Sequence, residues 1–357
     1  MPTILSVGYP LARVGPDAVG GAEQVLSLLD AAIVRAGWES IVIAAEGSVT
    51  HGALVATPMP RGPLTEAVRR AAQERHREAI ARVLRERTVD LVHVHGVDFD
   101  RYLPPPGVPV LATLHLPPSF YAPAALRPER PRTYLHGVSR SQHAAFPPDV
   151  PLLPPIENGV PVEALGARVR KRGFALALGR ICPEKGYHLA LEAAHRAGLP
   201  LLLAGAVFRY AAHERYFREE IAPRLDSLRR FIGAVPLGRK RRLLAAARCV
   251  VVPSLVPETS SLVAMEALAS GTPVVAFPVG ALADIVEHGE TGFLVRDLHE
   301  MAAAMHAAAS LDPERCRAAA RTRYSAERTQ REYLERYERI RADRTSLAPA
   351  WSRELAG

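Results

Sequence analysis

Cysteine, aromatic residues and long apolar runs are all scarce in this chain of 357 residues. Its three cysteines, Cys182, Cys249 and Cys316, cannot all pair and show no metal-ligand spacing. That excludes a disulfide framework and points to a reducing, cytoplasmic setting. No apolar stretch approaches the roughly 20 residues of a membrane span. The N-terminus, Met1-Pro2-Thr3-Ile4-Leu5-Ser6-Val7, has neither a basic start nor a cleavage site, so it reads as a first strand and not as a signal peptide. A G-x-G-x-x-G dinucleotide fingerprint is missing, which disfavours a dehydrogenase. Acidic excess is missing as well: 45 Lys and Arg stand against 37 Asp and Glu, a net charge of +8. No nucleic-acid partner is expected, because no DNA- or RNA-binding motif is present and the charge is dispersed. Its densest runs are short, Arg168 to Arg172 and Arg239 to Arg242. They read as solvated surface, with attraction for anions or a weak membrane-surface association as the sharper alternative.

What the chain does have is alternation of short apolar strands and helical patterns, the mark of parallel α/β architecture. Strands are expected at 3–7, 40–44, 90–94, 108–114 and 134–138, with helices at 21–36 and 64–87. A Pro/Asn/Gly-rich stretch from Pro147 to Val160 then reads as a linker. Alternation restarts with strands at 174–178, 199–204, 230–233 and 249–252 and helices at 187–197, 212–226 and 237–247. The charged, periodic segment 326–344 reads as one or more helices. The expected fold is two Rossmann-like doubly wound α/β domains, residues 1–160 and 161–330, facing across a cleft, with a helical tail at 331–357. Ligands are expected at the strand C-termini.

The most informative stretch runs from Pro257 to Val275. It reads as a polar loop carrying Glu258, a helix with Glu266 about two turns in, and a second apolar strand. Ser260, Ser261, Leu262 and Val263 supply the free N–H groups of a first helical turn, a ready site for phosphate oxygens. An anion site flanked by two carboxylates suits a diphosphate with hydroxyl-rich sugars at both ends, as in a nucleotide sugar. After the first strand of the second half, Arg180 and Lys185 flank a glycine-punctuated turn (Gly179 to Gly186). Such paired cations can hold a diphosphate, though a solvated surface loop would look the same.

In the first half, Gly15 to Gln24 lies between the first strand and first helix. Its paired Gly20 and Gly21 let backbone approach a phosphate or sugar; a flexible turn is the plainer reading. His115 ends an apolar strand. His93 and His95 fall on one strand face, and without a third ligand they read as structural or acceptor-side, not as a metal site. Asp98-Phe99-Asp100 reads as a solvated turn. Ser139 and Ser141 are placed to cap a helix.

The Pro257–Val275 segment resembles the donor-site signature of retaining glycosyltransferases with the GT-B fold, the family-four or group 1 type. That signature is acid, seven residues, acid, then a small-residue run ending in Gly-Thr-Pro-Val; here the acids are Glu258 and Glu266. The likeness continues through Gly280 to Val286 and Gly289 to Val295, and through Gly179–Gly186 and Gly20–Glu23. It departs at Thr259 and Ser260, where a proline and an aromatic are more frequent, and at Ser261, where glycine is usual. The resemblance implies a hexosyltransferase that retains anomeric configuration, uses a nucleoside diphosphate sugar (UDP-glucose or GDP-mannose) and an acceptor hydroxyl, and needs no metal or other cofactor. It implies that Arg180 and Lys185 contact the diphosphate, that Glu266 binds ribose hydroxyls, that Glu258 approaches the donor sugar, and that His115 approaches donor sugar and acceptor. It also implies that the tail returns to the first domain. The remaining alternatives are a carboxylate-pair hydrolase, a sugar-nucleotide epimerase and a catalytically idle nucleotide-sugar binding protein.

Overall fold

The computed structural model of the chain describes residues 1–60 and 62–343. The chain forms two compact units. Unit 1 comprises Met1–Glu157 together with the chain from Thr329 onward, and unit 2 is Asn158–Arg328.

In chain order, unit 1 contains β1 (Thr3–Val7), α1 (Gly21–Arg35), β2 (Glu39–Ala45), β3 (Ala53–Thr57), α2 (Glu66–Glu86), β4 (Leu91–Val94), β5 (Val110–Leu114), β6 (Thr133–Gly137), α3 (Arg140–Ala144) and β7 (Leu152–Leu153). All neighbouring strands are parallel, in the order β3-β2-β1-β4-β5-β6-β7. A parallel sheet is covered on both faces, so its central strands are mostly apolar rather than alternating. β1, β4 and β5 are accordingly buried along their whole length, and Leu5 lies in register between Ile41 and Val92. Thr65 caps α2 by accepting a hydrogen bond from Val68 N at 3.3 Å, and Ser139 caps α3 through Gln142 N.

Unit 2 contains α4 (Val162–Leu165), β8 (Ala175–Leu178), α5 (Tyr187–Arg196), β9 (Leu201–Ala204), α6 (Ala211–Tyr216), β10 (Arg229–Phe231), α7 (Leu237–Ala246), β11 (Cys249–Val252), α8 (Leu262–Ala269), β12 (Val274–Ala276), α9 (Leu282–Ile285), β13 (Gly292–Leu294), α10 (Leu298–Ala307) and α11 (Pro313–Arg323). Its six strands are parallel in the order β10-β9-β8-β11-β12-β13. Counted from its own first strand this is 3-2-1-4-5-6, the doubly wound arrangement. The long helix expected at 212–226 is broken: α6 passes into a π-helical turn at Phe217–Ile221 and a 3₁₀ turn at Ala222–Arg224 that contains Pro223.

The last helix, α12 (Ala326–Ala342), begins in unit 2 and from Thr329 belongs to unit 1. There it buries Tyr333, Tyr337 and Ile340. The remainder of the expected tail, 344–357, lies outside the described residues. The two crossings of the chain run side by side. Thr329 Oγ1 donates to the Glu157 carbonyl at 2.8 Å in unit 1, and Val160 and Ser325 form an isolated parallel bridge in unit 2.

Candidate functional site

In a doubly wound sheet the strand order reverses at one point, and loops leaving the two strands there diverge to open a crevice at their C-terminal ends. In unit 2 that point lies between β8 and β11. The loop after β8 carries Arg180 and Lys185, and the loop after β11 carries Ser254 and Glu258. Sequence positions far apart are thus brought together by topology. Lys185 Nζ donates to Glu258 Oε1 at 2.5 Å, and the Ser254 hydroxyl bonds the same oxygen. Burial pushes the Glu258 carboxyl up, but the Lys185 ammonium, its hydrogen bond, that of Ser254 and the charge of Arg180 outweigh it and hold the group below the ordinary range. Arg180 is half-buried, with its guanidinium 5.9 Å from the centre of the Phe208 ring.

Two glycines fix this geometry. Gly186 (φ +62°) ends the 3₁₀ turn Pro183–Lys185 and opens α5, and a Cβ there would overlap the Pro253 carbonyl. Gly280 (φ +58°) lies against Glu258, so that a Cβ would come within 2.7 Å of the Glu258 nitrogen and closer still to its carbonyl oxygen. Ala281 N donates to that carbonyl at 2.8 Å. The backbone of Glu258 is therefore clamped where only glycine fits.

α8 begins at Leu262, one residue after Ser261, which adopts a left-handed conformation (φ +32°, ψ +69°). The position where the sequence departs from the glycine usual in the resembling family is therefore one where glycine relieves strain. The late start corrects one expectation: Glu266 is the fifth helical residue, a little over one turn in, not two. Among the described residues the N–H groups of Ser260, Ser261, Leu262 and Val263 bond no acceptor, and the buried Ser260 hydroxyl has no partner. The first bonded amides are those of Ala264 and Met265, to the Ser261 carbonyl. Unbonded amides at a helix N-terminus are the kind of donors an anion could use. Glu266 is buried, and its Oε1 accepts from the equally buried Lys240 Nζ of α7 at 2.6 Å. Sequence reasoning missed Lys240. Its only signal was a cation in a run otherwise read as solvated surface.

The corresponding point in unit 1 lies between β1 and β4. Gly20 is the N-cap of α1 and Gly21 its first residue; no side chain caps this end. From β4, β5 and β6 comes a buried imidazole cluster. His93 Nδ1 lies 2.7 Å from Tyr337 Oη and His93 Nε2 lies 2.7 Å from Thr113 Oγ1. Thr113 Oγ1 also lies 2.8 Å from His136 Nε2 and 3.2 Å from Tyr333 Oη. His95 Nδ1 and the half-buried His115 Nε2 are 3.0 Å apart. Burial holds His93, His95 and His136 well below the usual imidazole range, aided by the neighbouring imidazoles and, for His136, first by the Arg336 guanidinium, and brings His115 down to about 3. All four rings are neutral near pH 7. His93 belongs to the Thr113 network, and the His95 ring packs against the His93 ring with centroids 4.0 Å apart, its Nε2 without a partner among the described residues. Asp98 corrects another expectation, because it is no solvated turn. Its carboxylate accepts from Gln73 Nε2 at 2.7 Å and from the buried Tyr102 hydroxyl at 3.1 Å, and Phe99 is buried in the core.

Among the described residues one group could hold a metal ion, Cys182, Glu184 and His213, whose ligand atoms lie within 4.8 Å of one another. Cysteine spacing alone could not show it, because His213 arrives on α6. Burial pushes the Cys182 thiol up to about 11, aided by its hydrogen bond to Glu184. No described helix is long and apolar enough to cross a membrane.

Residues 173–310 match the family described as Glycosyl transferases group 1, and residues 19–146 match Glycosyltransferase Family 4. A D-inositol 3-phosphate glycosyltransferase of Nocardioides sp. is 40% identical over 121 residues, 32% of this chain and 26% of that protein. The match thus spans about a quarter of that relative's length. Among solved structures, AviGT4, a glycosyltransferase involved in avilamycin A biosynthesis, superposes with a TM-score of 0.68 at 26% identity, covering 96% of this chain and 99% of that one. HepE of Anabaena, solved with UDP-glucose, superposes with a TM-score of 0.72 at 18% identity, covering 95% and 100%; at that identity it speaks for the fold alone.

Proposed function

Because the chain belongs to the group 1, family-four glycosyltransferases of GT-B fold, we propose that it moves a hexose from a nucleoside diphosphate sugar to an acceptor hydroxyl with retention of anomeric configuration. The observation that carries this reading is the set gathered at the C-terminal ends of β8 and β11: Arg180, the Lys185–Glu258 pair and the four unbonded amides of Ser260–Val263. Two cations and a helix N-terminus suit a diphosphate leaving group better than they suit a glycosidic oxygen, which speaks against the hydrolase alternative.

In the proposed reaction the bond between the anomeric carbon and the diphosphate oxygen breaks. The acceptor oxygen bonds to that carbon on the same face, and its proton passes to a diphosphate oxygen. Arg180, Lys185 and the α8 amides stabilise the charge that develops on the leaving group; each well-placed donor is worth about 3–4 kcal/mol. Lys185 is already engaged with Glu258, so the same pair can orient the ammonium toward a phosphate and set the carboxylate beside the sugar. Glu266, oriented by Lys240, is assigned to the ribose hydroxyls. Gly20, Gly21 and neutral His115 are assigned to the sugar and acceptor side. The cations take the role a divalent ion plays elsewhere, so activity is expected to persist in EDTA. UDP-glucose, bound by HepE, is the donor to try first and GDP-mannose the second. The three buried free cysteines favour a cytoplasmic location.

Thermal stabilisation by UDP, GDP, dTDP and ADP in EDTA tests the donor site. One nucleotide should raise Tm, and Arg180→Ala should abolish that response. Arg180 is the better probe than Glu266, whose removal also strands Lys240. No stabilisation by any nucleotide overturns the reading. With the donor identified, Arg180→Ala should lower kcat about 10²- to 10³-fold, and NMR of the product should show the donor's anomeric configuration.

A further inference from the structure

The two basic runs of the sequence, far apart in the chain, meet on unit 2. Arg170, Lys171 and Arg172 precede β8, and Arg239 and Arg242 lie on α7; together with Phe174 they line one cavity of about 940 Å³. Two backbone hydrogen bonds bring the segments together, Arg172 N to the Ala246 carbonyl at 2.7 Å and Arg248 N to the Phe174 carbonyl at 2.8 Å.

The flanking cations behave differently from those that line the cavity. Arg168 pairs with Glu314 at 3.2 Å, and Lys240 pairs with Glu266. Among the described residues, Arg170, Arg172, Arg239 and Arg242 have no acidic partner. Lys171 is half-buried and donates to the Thr272 hydroxyl, which in turn donates to the Leu244 carbonyl at 2.6 Å. No acidic residue lines the cavity. Five cations converging without counter-charge repel one another, and an anion relieves that repulsion. The ammonium of Lys171, at the inner side of the group, is brought down to about 8 by burial and by the Arg317 guanidinium outside the cavity.

The cavity lies at the N-terminal ends of β8 and β11. The diphosphate site proposed above lies at their C-terminal ends, so the two occupy opposite edges of the same sheet. We propose that this cavity is a second anion site, which binds a ligand bearing more than one phosphoryl group. Arginine forks match phosphate oxygens in pairs. The concave form suits a polyphosphorylated solute; phosphate headgroups of a bilayer would present the same chemistry.

Inorganic tripolyphosphate, titrated calorimetrically into the full chain, tests the proposal. It should bind, and Arg172→Glu/Arg242→Glu should weaken binding by about tenfold or more. Both positions are exposed, so folding should hold. Arg170→Ser/Arg239→Ser serves as a second variant should the first unfold. Arg180→Ala should leave tripolyphosphate binding intact while losing the nucleotide response, which separates this site from the donor site. Sedimentation with phosphatidylglycerol vesicles identifies the source: binding to vesicles but not to tripolyphosphate, lost in the charge-reversed variant, assigns the phosphates to a bilayer. Binding of neither, or binding unaffected by both variants, overturns the site.

Discussion

The most extensive buried polar cluster of unit 1 is built of rings and hydroxyls: His76, His93, His95 and His136 are buried, and the latter three, with Thr113, Tyr333 and Tyr337, form the cluster above, while the buried Asp30 carboxylate is held separately by Ser40 and the backbone of His51 and Gly52. Unit 2 buries hydroxyls too, such as Ser254 and Thr272, but what sets it apart is buried ion pairs, as with Lys240–Glu266 and the largely buried Lys185–Glu258. The ion pairs and the Thr113-centred hydroxyl bonds satisfy groups that are costly to bury alone, whereas both ring nitrogens of His76 and Nε2 of His95 have no side-chain partner among the described residues. The two arrangements respond to solvent differently. A neutral imidazole network is lost when a proton arrives, whereas an ion pair is lost when a carboxylate is protonated, which requires a much lower pH.

The largest expected effect is therefore on acidification. Burial brings His76 down to about 4 and holds the other three well below 6.5, so the unfolded chain binds more protons than the folded one. Their stability is fully present above about pH 6.5 and falls below it, by about 1.4 kcal/mol per histidine for each pH unit. Near pH 5 four of them would offset much of an ordinary domain stability of about 5–15 kcal/mol. Glu258 is also held below its ordinary value, but because its charged form is favoured, and its contribution is lost only as pH falls below the ordinary 4.5. Unit 1 should open first. Trp38 fluorescence should change near pH 5 while proteolytic resistance of unit 2 persists; simultaneous loss would erase the distinction.

The next effect is on the ion pair. Lys240→Ala leaves the Glu266 carboxylate buried without a partner and should destabilise unit 2 by about 3–5 kcal/mol, whereas Lys240→Met/Glu266→Leu should recover most of it. Urea unfolding would measure both; equal losses would mean that pairing is not what matters there. Thr113→Val is the counterpart in unit 1. It strips three partners of one hydroxyl and should cost about 1–3 kcal/mol, with no effect on nucleotide binding to unit 2. The smallest effect should be a gain. Ser261→Gly relieves the left-handed backbone at the start of α8 and should stabilise by up to about 1 kcal/mol, read as a higher Tm.

The same contrast explains what the sequence could disclose. Buried central strands announced themselves as apolar runs: β1 and β11 occur over the expected residues, and β2, β4, β5, β6, β8 and β10 within two. β3 passed unnoticed because it is a largely exposed edge strand, and β7 because it has two residues. The Ala-rich helices α10 and α11 offer little contrast between faces. At the site, the residue types and their loops were legible, but not the partners. Lys185 and Glu258 are 73 positions apart and His93 and Tyr337 are 244 apart. Such pairs follow from strand order, which local patterns do not contain.

The side-by-side crossings of the chain bear on how such a molecule could be recombined. Unit 2 is one uninterrupted stretch whose ends are already hydrogen-bonded neighbours, through Val160 N to the Tyr324 carbonyl at 2.8 Å and Ala326 N to the Val160 carbonyl at 2.9 Å. In genetic terms it is an insert within a host gene segment, and a homologous insert could be exchanged at residues 158 and 328 without a designed linker. The host has no such freedom. A stop codon placed before α12 would remove Tyr333 and Tyr337 and leave the imidazole cluster of the first 157 residues without its hydroxyl partners on that side.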